Sequence, residues 1–178
     1  MKLYATRHGE TVWNAQDKVS GLTDVELTEN GIEQARELAK KLEGKPIDIM
    51  LVSPLKRAQD TAKIISEHCG GIPMLTEQRL IEQNYGIYEG RDRFDEAFLN
   101  NKRCFAYKYP GGGESMMQLA HRIYGLLDEI KEKYSDKTVL LVCHGGVLRA
   151  VNTYFNDMTN DEYFHFLLDN CGLMEFEL

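Results

Sequence analysis

Apolar residues along this chain fall into short continuous runs and into longer stretches spaced as on one face of a helix. Leu3-Tyr4-Ala5, Ile47 to Val52 and Val139 to Cys143 are continuous and predict buried strands, with a weaker strand at Met74-Leu75-Thr76. From Gly172 to Leu178, Met174, Phe176 and Leu178 alternate with Leu173, Glu175 and Glu177, the pattern of an edge strand. Ile32, Ala35, Leu38, Ala39 and Leu42 recur at helical spacing, with Thr28 as the cap and Gly44 as the stop. Leu55, Ala58, Ala62 and Ile65 form the apolar face of a second helix, which Ser53 would cap with Pro54 at its first position. Ser115 caps a long helix whose apolar face runs from Met116 through Leu119, Ile123, Leu126 and Leu127 to Ile130, and another helix follows His144-Gly145-Gly146. Arg91 to Tyr109, carrying Phe94, Phe98, Phe105 and Tyr107, predicts a short helix or lid that Gly111-Gly112-Gly113 breaks.

Strands that alternate with helices predict a three-layer α/β/α sandwich, with a mostly parallel central sheet and an antiparallel edge strand. In such folds ligands gather at the carboxyl ends of the strands. Arg7-His8, Ser53 through Arg57, and His144-Gly145 all stand just past a strand end, so residues far apart in sequence are expected to converge.

Length and composition narrow the class. At 178 residues with 43% hydrophobic, the expectation is a single domain over 1–178, with a small lid-like insertion at about 91–113. No apolar run approaches the roughly 18 residues that span a bilayer, and the N-terminus lacks a basic-then-apolar leader pattern. A cytoplasmic protein without a membrane partner is therefore expected. Cys69, Cys104, Cys143 and Cys171 are scattered, without the spacing of a disulfide framework or a zinc site. A net charge of −7 argues against nucleic acid as a partner and gives an anionic ligand no long-range attraction. Any anion site must be local. Nothing in the pattern speaks for or against self-association.

Arg7-His8-Gly9-Glu10 follows the first apolar run, so a cation and an imidazole leave a buried strand side by side. Burying that pair costs desolvation unless an anion offsets it. Arg57, beside Lys56, falls in the first turn of its helix, where positive side chains meet the positive end of the helix dipole. That placement makes sense if the helix start binds an anion, and the planar forks of Arg7 and Arg57 suit bidentate phosphate contact. His8 and His144, at separate strand ends, could bind a metal, activate a serine or attack phosphorus directly. Neither has a partner at HxH or HExxH spacing, no GxSxG elbow exists, and the glycine triplet lacks the ending of a P-loop. Direct attack by an imidazole remains, needing cationic groups and a proton donor.

The motifs together resemble the histidine phosphatase superfamily, in the branch that includes phosphoglycerate mutases and many small phosphatases, over nearly the whole chain. Arg7-His8-Gly9-Glu10-Thr11 with Trp13-Asn14 carries the first motif, and Gly21, Asp24, Leu27-Thr28, Gly31 and Gln34-Ala35 the second. Ser53-Pro54-Leu55-Lys56-Arg57-Ala58 with Thr61-Ala62, then Leu80-Ile81-Glu82 with Gly86 and Gly90, then Gly113-Glu114-Ser115 and His144-Gly145-Gly146 complete the set in order.

The resemblance implies a phosphoglycerate mutase-like fold, no cofactor, no metal, and a small phosphorylated substrate. It implies that His8 is the nucleophile, that Arg7, Arg57 and His144 hold the phosphoryl oxygens, and that Asn14, Thr11 and Gly145 assist in binding substrate. Glu82 would protonate the leaving oxygen and then deprotonate water; the family's other branch takes its acid from an Asp directly after the second histidine, where this chain has Gly145. Mutases of the family retain the phosphorylated intermediate under a larger insert and a C-terminal tail, whereas this sequence ends at Leu178 on its last strand. The expectation is therefore a metal-independent phosphatase of small phosphomonoesters, with a phosphoglycerate mutase as the alternative and a non-catalytic phosphate-binding or regulatory module as a third reading.

Of the remaining candidates, Lys102, Arg103 and Lys108 are placed to meet a second anionic group, and the lid aromatics to flank a ring or pack the lid. His68, His121 and His165 are expected at the surface or in packing, Cys143 in the core, and Glu10 and Asn170 in structural roles.

Overall fold

A computed structural model describes residues 1–178. Five strands form one sheet: β1 (Lys2–Arg7), β2 (Ile49–Val52), β3 (Met74–Thr76), β4 (Thr138–Cys143) and β5 (Leu173–Glu177), in the order β3-β2-β4-β1-β5. The first four run parallel, and β5 pairs antiparallel with β1 at the edge, Ala5 opposite Met174. Burial on both faces explains why the central strands are continuously apolar.

Helices α2 (Glu29–Leu42) and α3 (Lys56–His68) cover one face, packing Leu38, Ala39, Ala62 and Ile65 on Tyr4, Met50, Leu140 and Val142. Helices α5 (Met116–Lys133) and α6 (Gly145–Phe155) cover the other, packing Leu119, Ile123, Leu127 and Val151 on Leu3, Ala5 and Leu141. The result is the expected three-layer sandwich. Three shorter helices, α1 (Val12–Ala15), α4 (Glu96–Lys102) and α7 (Asn160–His165), lie in the connections, as do two 3₁₀ turns at Gln78–Leu80 and Gly86–Tyr88. No helix is long and apolar enough to cross a membrane.

Thr28 caps α2 and Ser115 caps α5, the latter with Gln118 Oε1 accepting in return from the Ser115 amide, as their side chains predict. The cap expected at Ser53 is not there. Helix α3 starts two residues later, with Leu55 at the N-cap position and no capping bond from its own side chain. Asp24 supplies the cap from another loop, its Oδ2 accepting from the Lys56 amide at 2.9 Å. The same carboxylate lies 3.9 Å from Arg57, so part of the adverse dipole charge at this helix start is met by Asp24.

Around α4 the chain folds onto itself through aromatic contacts. Tyr85, Tyr88, Phe98 and Tyr109 pack together with ring centroids 5.1–5.9 Å apart, so Phe98 and Tyr109 serve in packing the 91–113 segment against the 85–88 turn. Phe105 packs on Tyr163 instead, and Phe94 and Tyr107 are exposed.

Candidate active site

The parallel register sets the site. Strand β4 lies between β2 and β1, with Cys143 opposite Arg7 and Val142 opposite Val52, so the next residues, His144, His8 and Ser53, leave the sheet at one edge. The ladder continues one step beyond the strands: His8 donates from its amide to Cys143 O and Ser53 to Val142 O, each at 3.0 Å. The two imidazole centroids stand 5.1 Å apart.

His8 Nδ1 lies 2.7 Å from Gly9 O. A carbonyl only accepts, so Nδ1 carries the ring hydrogen and Nε2 keeps its lone pair. Arg57 Nε donates toward that Nε2 at 3.3 Å. Burial, followed by the charges of Arg57 and Arg7, holds His8 well below the usual imidazole range. The ring is therefore neutral near pH 7. Gly9 is needed beside it, because a Cβ there would stand 2.3 Å from Gly31 O.

Arg57 does not offer an open fork. Its side chain is fully buried, with Nη1 donating to Thr23 O at 2.9 Å and Nη2 to Gly21 O at 2.6 Å. These bonds tie the 21–24 loop to the histidine, and Glu89 holds the loop from outside by accepting from the amides of Gly21, Leu22 and Thr23. Arg7 donates from Nη1 to Leu168 O, while its buried Nε has no partner. His144 Nδ1 is likewise buried and unpaired. Two buried nitrogens close to His8 are thus left without a protein partner, an arrangement that suits a local anion in an acidic protein.

Glu82 enters from the segment that follows β3. Its Oε1 accepts from the Gln83 amide at 2.7 Å and its Oε2 from the Gly146 amide at 3.0 Å. Behind it, Arg122 pairs with Glu114 through two bonds of 2.8 and 2.9 Å and donates to the carbonyls of Arg79 and Glu82. Glu114 thus serves the site by bracing the Glu82 loop. Tyr85, whose phenol is held well above its ordinary range by burial and by Glu82, stands with its hydroxyl on the same side of Gly146 as the Glu82 carboxylate.

Asn14 and Thr11 form a reciprocal cap at α1, Thr11 Oγ1 accepting from the Asn14 amide at 3.2 Å and Asn14 Oδ1 from the Thr11 amide at 3.1 Å. Asn170 Nδ2 donates to both His8 O and Asn14 Oδ1, at 2.9 and 3.2 Å. Its role is positional. Glu10 accepts from the Thr28 hydroxyl at 2.7 Å, a structural bond.

An open cleft lies over these groups, and Arg7, His8, Asn14, Glu82 and Gly145 line it. Of the site residues expected from sequence, Arg57 and His144 pack fully buried around His8, and Thr11 is buried and reaches the cleft only through Asn14. Lys102 lines the cleft, whereas Arg103 lies on the Phe164 ring and pairs with Asp161, and Lys108 is exposed. Sequence reasoning missed Ser53 as a partner of His144, Gly146 as a donor to Glu82, and Arg93 and Arg149 as lining residues. Only the adjacency of Ser53 and Gly146 to motif residues signalled them. No three His, Cys, Asp or Glu side chains converge in a geometry that would hold a metal ion.

Comparison with known proteins matches this geometry to one family. A family model, the histidine phosphatase superfamily (branch 1), matches residues 3–178. Phosphoglycerate mutase-like protein 4 of Arabidopsis thaliana is 36% identical over 160 residues, covering 84% of this chain and 69% of its own length. YhfR of Bacillus stearothermophilus superposes with a TM-score of 0.88 at 30% identity, covering 99% of this chain and 91% of its own. A phosphoserine phosphatase of Entamoeba histolytica, solved with 3-phosphoglyceric acid, gives 0.85 at 32% identity, covering 99% and 90%.

Proposed function

The chain belongs to the histidine phosphatase superfamily, branch 1, whose members handle phosphoryl groups, and from that premise we propose that it hydrolyses small phosphomonoesters through a phosphohistidine, without a metal. The observation that carries this reading is the neutral, buried His8, with a lone pair on Nε2 and unpaired donors on Arg7 and His144 beside it.

His8 Nε2 attacks phosphorus as the bond to the ester oxygen breaks. Arg7 Nε, His144 Nδ1 and the remaining N–H groups of Arg57 take the phosphoryl oxygens, and Asn14 adds a neutral donor from the cleft wall. Glu82 gives its proton to the leaving oxygen. A water then attacks the phosphohistidine, Glu82 takes the water's proton, and the P–N electrons return to Nε2. Inorganic phosphate leaves and the starting protonation states are restored.

A mutase reading is favoured by the name of the Arabidopsis relative, a hydrolase reading by the Entamoeba phosphatase. The test is p-nitrophenyl phosphate hydrolysis at mildly acidic pH in excess chelator, for the wild type and His8→Ala, beside a coupled 3-phosphoglycerate mutase assay. Chelator-resistant hydrolysis that disappears in His8→Ala, without mutase activity, is expected. Mutase activity with negligible hydrolysis would overturn the hydrolase reading, and hydrolysis that survives in His8→Ala would remove His8 from the mechanism.

A further inference from the structure

Thr61 stands inside α3 with its side chain fully buried, on the face that otherwise carries Ala58, Ala62 and Ile65. A hydroxyl there is out of keeping with packing alone, since threonine is a weak helix former and a buried polar group needs partners. It has two. Thr61 Oγ1 donates to Arg57 O, one turn back, at 2.7 Å, and accepts from the Gly9 amide at 3.0 Å. Both bonds end on a neighbour of His8: Gly9 follows it in the chain, and Arg57 reaches its ring at Nε2.

The bond to Gly9 has a counterpart on the same peptide unit. His8 O and Gly9 N lie in one plane; the carbonyl accepts from Asn170 Nδ2 at 2.9 Å, and the amide donates to Thr61. That plane is therefore held at both ends, from α3 and from the turn before β5. Holding it matters because Gly9 has no room for a side chain, its Cβ position lying 2.3 Å from Gly31 O. Glycine has the least restrained backbone of any residue, so the restraint has to come from outside. What depends on it is Gly9 O, the acceptor that keeps the ring hydrogen of His8 on Nδ1 and leaves Nε2 bare. An atom that donates along its own helix and accepts from outside fits this place, and a hydroxyl is such an atom.

Resting on the phosphatase reading, in which His8 Nε2 is the attacking atom, we propose that Thr61 is a positioning residue for the nucleophile: with Asn170 opposite, it clamps the His8–Gly9 peptide and so sets the tautomer and direction of the imidazole. Thr61 touches no reacting atom. It acts on both sides of the ring, because the helix turn that it closes at Arg57 O also carries the guanidinium whose Nε donates toward Nε2. A valine in its place fills nearly the same space but offers neither bond. The Gly9 amide is then buried without an acceptor, and the peptide is free to turn.

Thr61→Val, Thr61→Ser, Asn170→Ala and the double variant Thr61→Val with Asn170→Ala test the clamp, by p-nitrophenyl phosphate kinetics and by nitrogen chemical shifts of the His8 ring without substrate. Thr61→Val should lower kcat about tenfold, the worth of one buried hydrogen bond, with KM changed less than about twofold. Its His8 ring should show a mixture of tautomers where the wild type shows the Nδ1–H form. Thr61→Ser keeps the hydroxyl and should keep most of kcat and the wild-type spectrum. Freeing either end frees the same peptide, so the loss in the double variant should fall well short of the product of the two single losses. A His8 spectrum unchanged in Thr61→Val overturns the clamp, as do a serine variant as impaired as the valine and losses that multiply. Should Thr61→Val fail to fold, Asn170→Ala, at a half-buried position, loosens the same peptide from its carbonyl, and its His8 spectrum decides in the same way. A wild type without turnover overturns the phosphatase reading instead, and the ring spectra still decide the clamp.

Discussion

Ser53 Oγ lies 2.6 Å from His144 Nε2, and this contact joins the end of β2 to the end of β4. The hydroxyl oxygen also accepts from the Leu55 amide at 3.3 Å, and its hydrogen makes no other bond, so it points at Nε2 and assigns the ring hydrogen of His144 to Nδ1. The unpaired Nδ1 is then a donor, as a phosphoryl oxygen requires. Burial, followed by the charge of Arg57, keeps the ring neutral and makes the choice of tautomer decisive.

Ser53→Ala should therefore lower kcat on the order of tenfold, about the worth of one buried hydrogen bond, while Ser53→Thr restores most of it. Nitrogen chemical shifts of His144 should show the Nδ1–H form in the wild type and a mixture in Ser53→Ala. An unchanged tautomer with unchanged kcat would reduce Ser53 to a packing residue.

Gly146→Ala places a Cβ 2.6 Å from Glu82 Oε1 and 2.9 Å from the Tyr85 hydroxyl, so the carboxyl must move. Turnover of alkyl phosphates should fall roughly a hundredfold, in the range general acid catalysis supplies, and p-nitrophenyl phosphate should suffer less because its leaving group scarcely needs a proton. Glu82→Gln should show the same asymmetry. Equal losses on both substrates would place the damage in the phosphate cradle.

Arg57→Lys keeps a charge but must replace bonds to three separate acceptors, His8 Nε2, Thr23 O and Gly21 O, with one nitrogen. At least one buried carbonyl loses its donor, a cost of about 1–3 kcal/mol. A lower Tm together with a lower kcat is expected; loss of kcat alone would mean that the 21–24 loop is held without Arg57.

His8 and His144 both have folded-state pKa values below the unfolded value of about 6.5. The unfolded chain therefore binds more protons than the folded one below that pH, so their stabilising effect is present above about 6.5 and fades as pH falls toward the folded values. Melting followed between pH 8 and 5 should show a steeper acid decline in the wild type than in His8→Gln. The acid limb of kcat/KM with p-nitrophenyl phosphate should show no inflection from His8 at about 6.5. Identical Tm profiles for the two proteins would contradict the assignment.

Lys102 has the same sign in a different window. Its folded value of about 7 lies below the unfolded lysine value of about 10.4, so stability rises as pH climbs from 7 toward 10. Lys102→Met should melt higher than the wild type at pH 6, with the advantage shrinking through that window. A wild type that is the more stable at pH 6 would mean that the ammonium is already compensated in the empty cleft.

Much of the scaffold is legible because local patterns suffice for it. Continuous apolar runs mark β1, β2 and β4 since both sheet faces are covered, and Thr28 and Ser115 cap their helices because a cap is satisfied within one turn. Ser53 misled for an instructive reason. Its position before Pro54 has the local chemistry of a cap, but a competing acceptor, His144, stands 91 residues away in sequence and takes the hydroxyl. Arg57 looked like an open fork because its carbonyl partners belong to a loop more than thirty residues earlier.

By itself the sequence determined the order of elements, the strand ends that carry His8 and His144, and the family through its ordered motifs, because these depend on residue type and spacing alone. Only the tertiary structure decided which nitrogen of each histidine is free, that Asp24 caps α3, that Gly146 anchors Glu82, and that Lys102 and Arg149 meet in the cleft without a counter-ion. Hydrogen-bond direction and charge compensation depend on which groups meet across the fold, and the crossovers between parallel strands bring those groups together from distant parts of the chain.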